Sequence, residues 1–566
     1  MKALRTFVLA ALAIAGVARA ASFSSNNGND EDRFGMGCIY DKATGGYKLF
    51  PEAKYSEEYS AWGYYNDTLH SLGWGKLHIR SKSTSRPDNY GAFYCAGVVE
   101  AALTHTRISQ YFKVFKHNVL AEFGTSEWPS YFQSWMMRNL DYARENVAKY
   151  EQTDSWWRSV GYVLARFDGL VAGYSRELDK SADVPINEFE MWSVQAIADL
   201  DDIYVFLNRD PETGRIVARS PEWHDLHHHC SALVRLAEDY SDVYVGHNSW
   251  TALNDLNRML KDYLFDVEDA DLSAKRWTFS GYAALLVSVD DIWLMDTKLV
   301  VFETSLHTWN ETLYDLYCRP ESALNWVRVQ VANMLASNGR AWTQHFTREN
   351  SFTYNNQYVV VDYNRFVPGK APQPGFVWNA EQCPGHYVAG DRTAELIEKG
   401  WVPGVNTPFF EEIYVASGVP EKVAETKSDY WTYYNCSRYL IMQRDVPTKV
   451  KTYEQFKAFM RYNDWQHDPL SNGDAGEQII SRYDLRPEEC VSLGTMKMCP
   501  SAFGGVDAKT VRYQSAIKME FDAISSPQYE TQPAWVFGEG KYKDLMWEGM
   551  PKTWKFPWTY FGPDEY

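Results

Sequence analysis

No segment of this chain is long and apolar enough to span a bilayer, which takes roughly 18 or more consecutive apolar residues. It also lacks any Lys/Arg-rich run, and its formal net charge is -18. That argues against nucleic acid, because phosphate recognition needs a basic footprint. There is no C-x-x-C pair, so a zinc ribbon or thioredoxin-type motif is excluded. The nucleophile elbow G-x-S-x-G and the zinc helix H-E-x-x-H are missing, as are the phosphate loops G-x-x-x-x-G-K-[ST] and G-x-G-x-x-G. No internal repeat or low-complexity tract appears. The absence of these common hydrolase and nucleotide-binding signatures counts against the rival readings.

What is present begins with a compartment signal. Lys2 and Arg5 precede an apolar run, Phe7 to Val17, and Ala18-Arg19-Ala20 offers small residues for cleavage. This layout predicts a secretory signal peptide over residues 1–20 and a secreted or lysosomal destination. Disulfides are allowed there. Of the eight cysteines, Cys490 and Cys499 are spaced to close a small loop. If Cys230 stays free, the remaining seven cannot all pair, so at least one more thiol is unpaired. Three N-x-[ST] sequons, at Asn66, Asn310 and Asn435, are glycan acceptors wherever they reach the surface. The chain exceeds the usual domain of roughly 100–200 residues, and 45% hydrophobic residues can fill a sizeable core.

Helical periodicity marks Tyr90 to Thr104, Pro129 to Tyr150, Ser155 to Tyr174 and Ile186 to Leu207, so the first half reads as mainly helical. Pro129 suits a first helical turn. Asn208 to Gly214 is turn chemistry, followed by a short apolar stretch, Ile216 to Ala218. From Cys230 onward the pattern changes to period two, with Ala232, Val234 and Leu236 and then Val243 and Val245. Further strands are expected at Trp277–Phe279, Ala283–Val289, Ile292–Met295 and Leu299–Thr304. Short turns such as Val289-Asp290-Asp291 predict antiparallel hairpins. A helix follows over Ser322 to Ser337. A helical half followed by a strand run suggests stacked sheets with helices outside.

A cysteine at the head of a strand has two readings. It is commonly a small buried hydrophobe. If the bond before it were cut, its new α-amine, with a pKa of about 7.7–8.0, would sit beside a thiol of about 8.5. Such an amine can take the thiol proton without a separate histidine. The turn over Glu238 to Asp242 would return Val243 to Trp250 alongside, bringing His247 and Trp250 near Cys230 as a polar and an apolar wall. The run His224, His227, His228, His229 invites a metal reading. No carboxylates stand at ligand spacing, so histidines next to a scissile bond, or simply in a surface loop, are the simpler accounts and no metal is assigned.

Several stretches, in order over about 230–535, give the sequence a resemblance. They include Cys230-Ser-Ala-Leu-Val, Gly246-His-Asn-Ser-Trp250, Phe279-Ser-Gly-Tyr282, Phe302-Glu-Thr304 and Leu324-Asn-Trp-Val-Arg328. Further on come Asn350-Ser-Phe-Thr-Tyr-Asn-Asn-Gln357, Glu381-Gln-Cys-Pro-Gly385, Val405-Asn-Thr-Pro408, Gln443-Arg-Asp445, Met460-Arg-Tyr-Asn-Asp464, Asp468-Pro-Leu-Ser471 and Gly505-Val-Asp507. The chain resembles the phospholipase B-like, or lamina-ancestor-like, family of N-terminal nucleophile hydrolases.

The resemblance implies an α+β fold, a four-layer αββα sandwich, and self-cleavage between His229 and Cys230. It implies an N-terminal fragment, 21–229, and a C-terminal fragment, 230–566, held in one interleaved domain. Cys230 would be the nucleophile and its amine the base, with no cofactor. His247 and Trp250 would line the pocket, Asn406 would stabilise an oxyanion, and Arg438 would be a pocket arginine. Asn356 is a second oxyanion candidate, although paired Asn also suits a turn. Asn406 is equally compatible with capping the turn before Pro408, and Arg438 with a buried ion pair. The implied substrate is an acyl lipid, and a homodimer is left open. Departures from the family pattern are Phe352 in place of Gly, Tyr358 in place of Trp, Cys383 in place of Ile, and Cys436-Ser437 near a family Pro-Arg. The main rival is a non-enzymatic secreted glycoprotein that retains the fold. A second is a metal-dependent hydrolase built on the histidine run.

Overall fold

The computed structural model describes residues 35–178, 181–208 and 230–563. The expected signal segment, the Ile216 to Ala218 stretch, the histidine run and the His229–Cys230 bond lie outside these residues.

The first departure from expectation comes at the start. Residues 35–82 are not helical but carry four strands, β1 Gly35–Asp41, β2 Gly46–Ala53, β3 Ala61–Asn66 and β4 Gly75–Lys82, with a one-turn helix, α1 Leu69–Leu72. These strands are short and interrupted by polar residues, so periodicity alone passes over them. Helices then follow: α2 Asn89–Glu122, α3 Ser130–Tyr150, α4 Ser155–Leu178, α5 Glu188–Gln195 and α6 Ile197–Leu207.

Helix α2 runs well beyond Thr104 because Ile108, Tyr111, Phe112 and Phe115 continue the buried stripe past a polar interruption. It crosses α4 at glycine contacts so close that a Cβ at Gly97 would sit 2.0 Å from the Arg166 carbonyl oxygen. Pro129 precedes α3 as an extended capping residue rather than lying in its first turn. The single helix expected over Ile186 to Leu207 is two. Asn187 and Glu190 form a reciprocal capping box on α5, and the chain breaks at Ala196 before α6.

Two large sheets dominate. After residue 229 come β5 Ser231–Leu236, β6 Val243–Asn248, β7 Trp250–Ala252, β8 Arg258–Asp266, β9 Arg276–Tyr282, β10 Ile292–Met295 and β11 Leu299–Ser305. Helices α7 Thr312–Tyr317, α8 Asn325–Leu335 and α9 Gly339–Phe346 intervene before β12 Asn356–Asp362, β13 Val377–Cys383, β14 His386–Asp391 and β15 Trp401–Gly404. The expected strand over Ala283–Val289 is absent. The chain leaves the sheet after Tyr282, and Ala284 takes a left-handed φ of 70° that no strand accommodates.

The larger sheet has 11 strands in the order β14-β13-β12-β11-β10-β9-β8-β4-β3-β1-β2. Its one parallel junction among these pairs, β4 with β8, runs from Gly75 beside Met259 to Lys82 beside Asp266. Segments from either side of residues 209–229 thus share one sheet. The smaller sheet has six strands in the order β15, β5, β6, Asp507–Arg512, Phe521–Ser525 and Thr559–Phe561.

Burial follows the period-two pattern. Ala232, Val234, Leu236, Val243 and Val245 pack against Leu260, Ile292, Val300, Phe302, Val359 and Val361 of the larger sheet. Leu233 and Tyr244, from the alternate positions, pack instead with Tyr439, Met442, Phe456 and Met460 of the helices Ser437–Lys449 and Tyr453–Met460. The other face of the larger sheet offers Tyr263, Phe279, Trp293, Val301 and Val360 to α2, α4 and α8. Each fully buried side chain of this kind contributes roughly 1.5–3 kcal/mol. The molecule is a mixed α/β protein of two large sheets and surrounding helices.

Disulfides join Cys38 to Cys95, tying β1 to α2, and Cys490 to Cys499. Cys230, Cys318, Cys383 and Cys436 are buried free thiols. Among the described residues no helix is long and apolar enough to cross a membrane.

Candidate active site

Cys230 stands immediately before β5, 3% exposed, with a left-handed φ of 80°. The β5–β6 hairpin forms over the expected turn, pairing Ser231 with Asn248 and Ala232 with His247. Asn248 then does most of the local fastening. Its Oδ1 accepts from the Ser231 amide at 3.0 Å and from Trp250 Nε1 at 2.7 Å. Its Nδ2 donates to the carbonyls of Met460 and Ile479, each at 3.0 Å. The strand head and the Trp250 ring are thereby held by one amide side chain.

Arg438 closes the other side. It lies in the first turn of Ser437–Lys449, which is bracketed on the chain by Cys436. Its Nη1 donates to the Cys230 carbonyl, to Asn406 Oδ1 at 2.7 Å and to Ser231 Oγ at 3.3 Å, while Nη2 donates to the Val405 carbonyl at 2.9 Å. The guanidinium carbon lies 4.6 Å from the centre of the Trp250 ring, a cation–π distance. Asn406, at a left-handed φ of 60°, donates from Nδ2 to the Ser305 carbonyl at 2.7 Å. Cys230, Trp250, Asn406 and Arg438 therefore share one network. Among the described residues Arg438 has no carboxylate salt-bridge partner, so hydrogen bonding rather than an ion pair defines it.

His247 is fully buried, paired in register with Ala232 on one side and Lys509 on the other. Burial, and then the Lys509 and Arg258 charges, hold its imidazole well below the ordinary value. It stands as a neutral wall rather than a charged one. Asn356 opens β12 as a strand residue, paired with Ser305, and is not in a turn. Its amide bears on the Glu303 carboxyl.

The Cys230 thiol is pushed well above its usual value by burial and by the carboxylates of Glu303 and Asp291. The Trp250 main chain and Lys509 pull it partly back. Tyr354 Oη reaches Asp291 Oδ2 at 2.5 Å and Glu303 Oε1 at 2.7 Å. Burial raises Asp291 to about 6, and burial with Asp291 close by raises Glu303 as well. Next to them Lys509 Nζ donates to Ser249 Oγ at 2.6 Å, Asp507 Oδ2 at 2.7 Å and the Asp290 carbonyl at 3.0 Å. Arg258 pairs with both Asp290 and Asp507. Burial alone would raise Asp507, but Arg258 and Lys509 hold it below its ordinary value.

Sequence reasoning singled out none of Asn248, Asp291, Glu303, Tyr354, Asp507 or Lys509. All but Asp291 and Lys509 lie inside stretches quoted for the resemblance, which is the signal that could have found them. The short turn expected at Val289-Asp290-Asp291 carries two buried carboxylates, Asp290 and Asp291, at 0% and 1% exposure. Among the described residues no cluster of three or more His, Cys, Asp or Glu is arranged to hold a metal ion. Of the sequons, Asn66 and Asn435 are exposed and Asn310 is partly so.

The molecule is thus a mixed α/β protein with a buried cysteine, an arginine, a tryptophan and an asparagine gathered at one strand head. The phospholipase B family model matches residues 61–561, and the chain belongs to that family. It is 35% identical over 505 residues to Phospholipase B-like protein B of Dictyostelium discoideum, covering 88% of this chain and 85% of that one. It is 31% identical over 504 residues to Phospholipase B-like 1 of Bos taurus, covering 89% and 88%. The human Phospholipase B-like 1 is 31% identical over 507 residues, covering 89% and 87%. A solved structure of Penicillin V acylase from Agrobacterium tumefaciens aligns at 9% identity with a TM-score of 0.28, over 52% of this chain and 83% of that one. That likeness is too slight to carry any argument.

Proposed function

We propose that this protein is an acyl hydrolase of the N-terminal nucleophile kind, matured by cleavage between His229 and Cys230. The observation that carries the reading is the convergence of Arg438, Trp250 and Asn406 on a cysteine that opens a strand. Family membership supports hydrolysis of an acyl ester or amide, with an acyl lipid as the substrate class.

Cleavage would give Cys230 a free α-amine beside its own sulfur. The thiol attacks the acyl carbonyl carbon while the amine takes the thiol proton. The tetrahedral oxyanion would be stabilised by a preorganised amide donor such as Asn406, a contribution of roughly 2.7–4 kcal/mol. Collapse breaks the bond to the leaving group, which receives the proton from the new ammonium, and leaves a thioester on Cys230. Water, deprotonated by the amine, then attacks the thioester, releasing the acid and restoring the thiol. His247 and Trp250 would shape the acyl pocket.

In this reading fragments 21–229 and 230–566 make one domain, a four-layer αββα sandwich. Support comes from the three core clusters: helices on the outer face of the larger sheet, sheet on sheet, and helices on the outer face of the smaller. The Lys2 to Ala20 layout supports entry to the secretory pathway and glycosylation at the sequons.

The test is intact mass and N-terminal sequencing of purified protein, wild type and Cys230→Ala, held at pH about 5 and at neutral pH, followed by incubation with a panel of acyl lipids. A fragment beginning at Cys230 in the wild type alone, with release of free acid, is expected. An uncut wild-type chain would remove the mechanism. A cut chain that releases no acid from any lipid would favour the non-enzymatic glycoprotein.

A further inference from the structure

Helix α6 is the last described element before Cys230, and it carries two carboxylates a turn apart that reach across to the other side of the expected cut. Asp199, fully buried, accepts from the Asn325 amide at the start of α8 at 2.9 Å and from Thr353 Oγ1 at 2.5 Å. Asp202 accepts from the Asn355 amide at 3.1 Å and its Nδ2 at 3.0 Å, and from the Tyr314 hydroxyl. Both acids thus fasten the loop that leads into β12.

That loop is strained. Glu349, Phe352 and Tyr354 have left-handed φ values of 51°, 54° and 49°. None is glycine, and such residues persist only where their surroundings over-determine them. Here the surroundings are named. Asn350 Oδ1 accepts from the Phe352 amide, and Gln382 Nε2 donates to the Thr353 carbonyl at 3.3 Å. Asp199 and Asp202 grip the residues on either side of Tyr354. The position so fixed is the one whose hydroxyl joins Asp291 to Glu303, and those two carboxyls bear on the Cys230 thiol.

We infer that Asp199 and Asp202 of α6 are positioning residues for the Cys230 site, acting by holding Tyr354 between Asp291 and Glu303. Contact runs from α6 to the 349–355 loop and through Tyr354 to the carboxyl pair, whose charge bears on the sulfur. The groups facing that pair are Tyr354 and Asn356 from the loop and β12, Asp290 beside Asp291, Tyr358 from β12, and Lys509 from the smaller sheet. The inference uses the proposed function only in calling Cys230 the nucleophile.

The experiment follows the rate at which iodoacetamide alkylates Cys230, mapped by peptide mass across pH 5–9, with thermal melting recorded in parallel. Wild type is compared with Asp199→Ala, Asp202→Ala, Asp199→Asn and Tyr354→Phe, and with Glu145→Ala as an exposed control on α3. Loss of the grip frees Tyr354 and loosens the carboxyl pair. The alanine variants should therefore react roughly tenfold faster at a fixed pH, the equivalent of one pKa unit. Asp199→Asn should recover most of the wild-type profile, and Glu145→Ala should match it. Profiles for Asp199→Ala and Asp202→Ala that superpose on wild type, with folding intact, overturn the inference. If both fail to fold, Tyr354→Phe decides: a shifted profile supports the inference and a superposed one ends it. An uncut wild-type chain would instead defeat the nucleophile reading, because thiol reactivity is measured in either form.

Discussion

Arg438 donates to the main-chain carbonyl of Cys230, a residue 208 positions earlier in the chain. The same Nη1 donates to Asn406 Oδ1, and the plane of the guanidinium sits over Trp250. A planar fork is needed to serve these acceptors and the ring together, and lysine has none.

Replacing Arg438 by Ala removes donors to three carbonyl-type acceptors in a dry site. Charged hydrogen bonds are worth about 1.5–3 kcal/mol each, so Arg438→Ala should lower kcat/KM on any acyl substrate at least tenfold. Arg438→Lys should not restore it. Steady-state kinetics on folded protein checks this, and wild-type kinetics for Arg438→Lys would show that the fork is dispensable.

Asn248 Oδ1 accepts from both the Ser231 amide and Trp250 Nε1. Asn248→Ala takes a shared acceptor from two buried donors, a loss of about 1–3 kcal/mol for each bond. Thermal melting should report a loss of that order. Asn248→Asp keeps the shared acceptor but turns its second oxygen on the Met460 and Ile479 carbonyls that Nδ2 serves, so it should not recover the loss.

Between roughly pH 4.5 and 7 the fold should gain stability on acidification. Burial raises Asp199 and Glu381 to about 6, above their unfolded values of about 3.9 and 4.3. The folded state then binds more protons than the unfolded one in that window, so stability falls as pH rises through it, by at most about 1.4 kcal/mol per unit for each group. His247, which burial and Lys509 hold well below its ordinary value, opposes these acids over the same window because it takes up a proton only on unfolding. Asp255 and Glu477, raised to about 7 by burial, add to them. Carboxyls held low, such as Asp262 beside His78 and Arg276, act only at more acidic pH. Melting curves at pH 5 and 7.5 should show the higher Tm at pH 5, and Glu381→Gln should shrink the gap. An equal or lower Tm at pH 5 would contradict this account.

The Cys38–Cys95 bond closes a loop of 57 residues. On a chain-entropy account its removal as Cys38→Ala/Cys95→Ala costs about 4 kcal/mol. Denaturant unfolding should show a loss near that size, and more than removal of the short Cys490–Cys499 loop produces.

The strand run after Cys230 was legible because burial on one face imposes strict alternation. Ala232, Val234 and Leu236 against Val243 and Val245 announce both the hairpin and its inward face. The strands of residues 35–82 were not, because β2 has no buried position, only partly and fully exposed ones without strict alternation, and β4 joins a partner 184 residues away in register, as at Gly75 and Met259. Cys230, Trp250 and Arg438 could be chosen from residue type and motif, but their meeting depends on long-range pairing that no local pattern encodes. Asp291 was hidden for a related reason: Val289-Asp290-Asp291 has the composition of a turn, and the Glu303, Tyr354 and Lys509 side chains that accommodate its burial come from distant segments. Phe352 shows the converse. At φ 54° it occupies a conformation glycine adopts without cost, which accounts for the Gly expected there from the resemblance.

The seam between β4 and β8 has a mechanical consequence. Eight successive residue pairs, from Gly75–Met259 to Lys82–Asp266, stitch the early strands into the middle of the larger sheet. A nick anywhere in residues 209–229 would sever the covalent thread without opening that stitching. Two bands on a denaturing gel would then elute as a single species from a sizing column, and prying them apart would mean tearing a sheet through its centre.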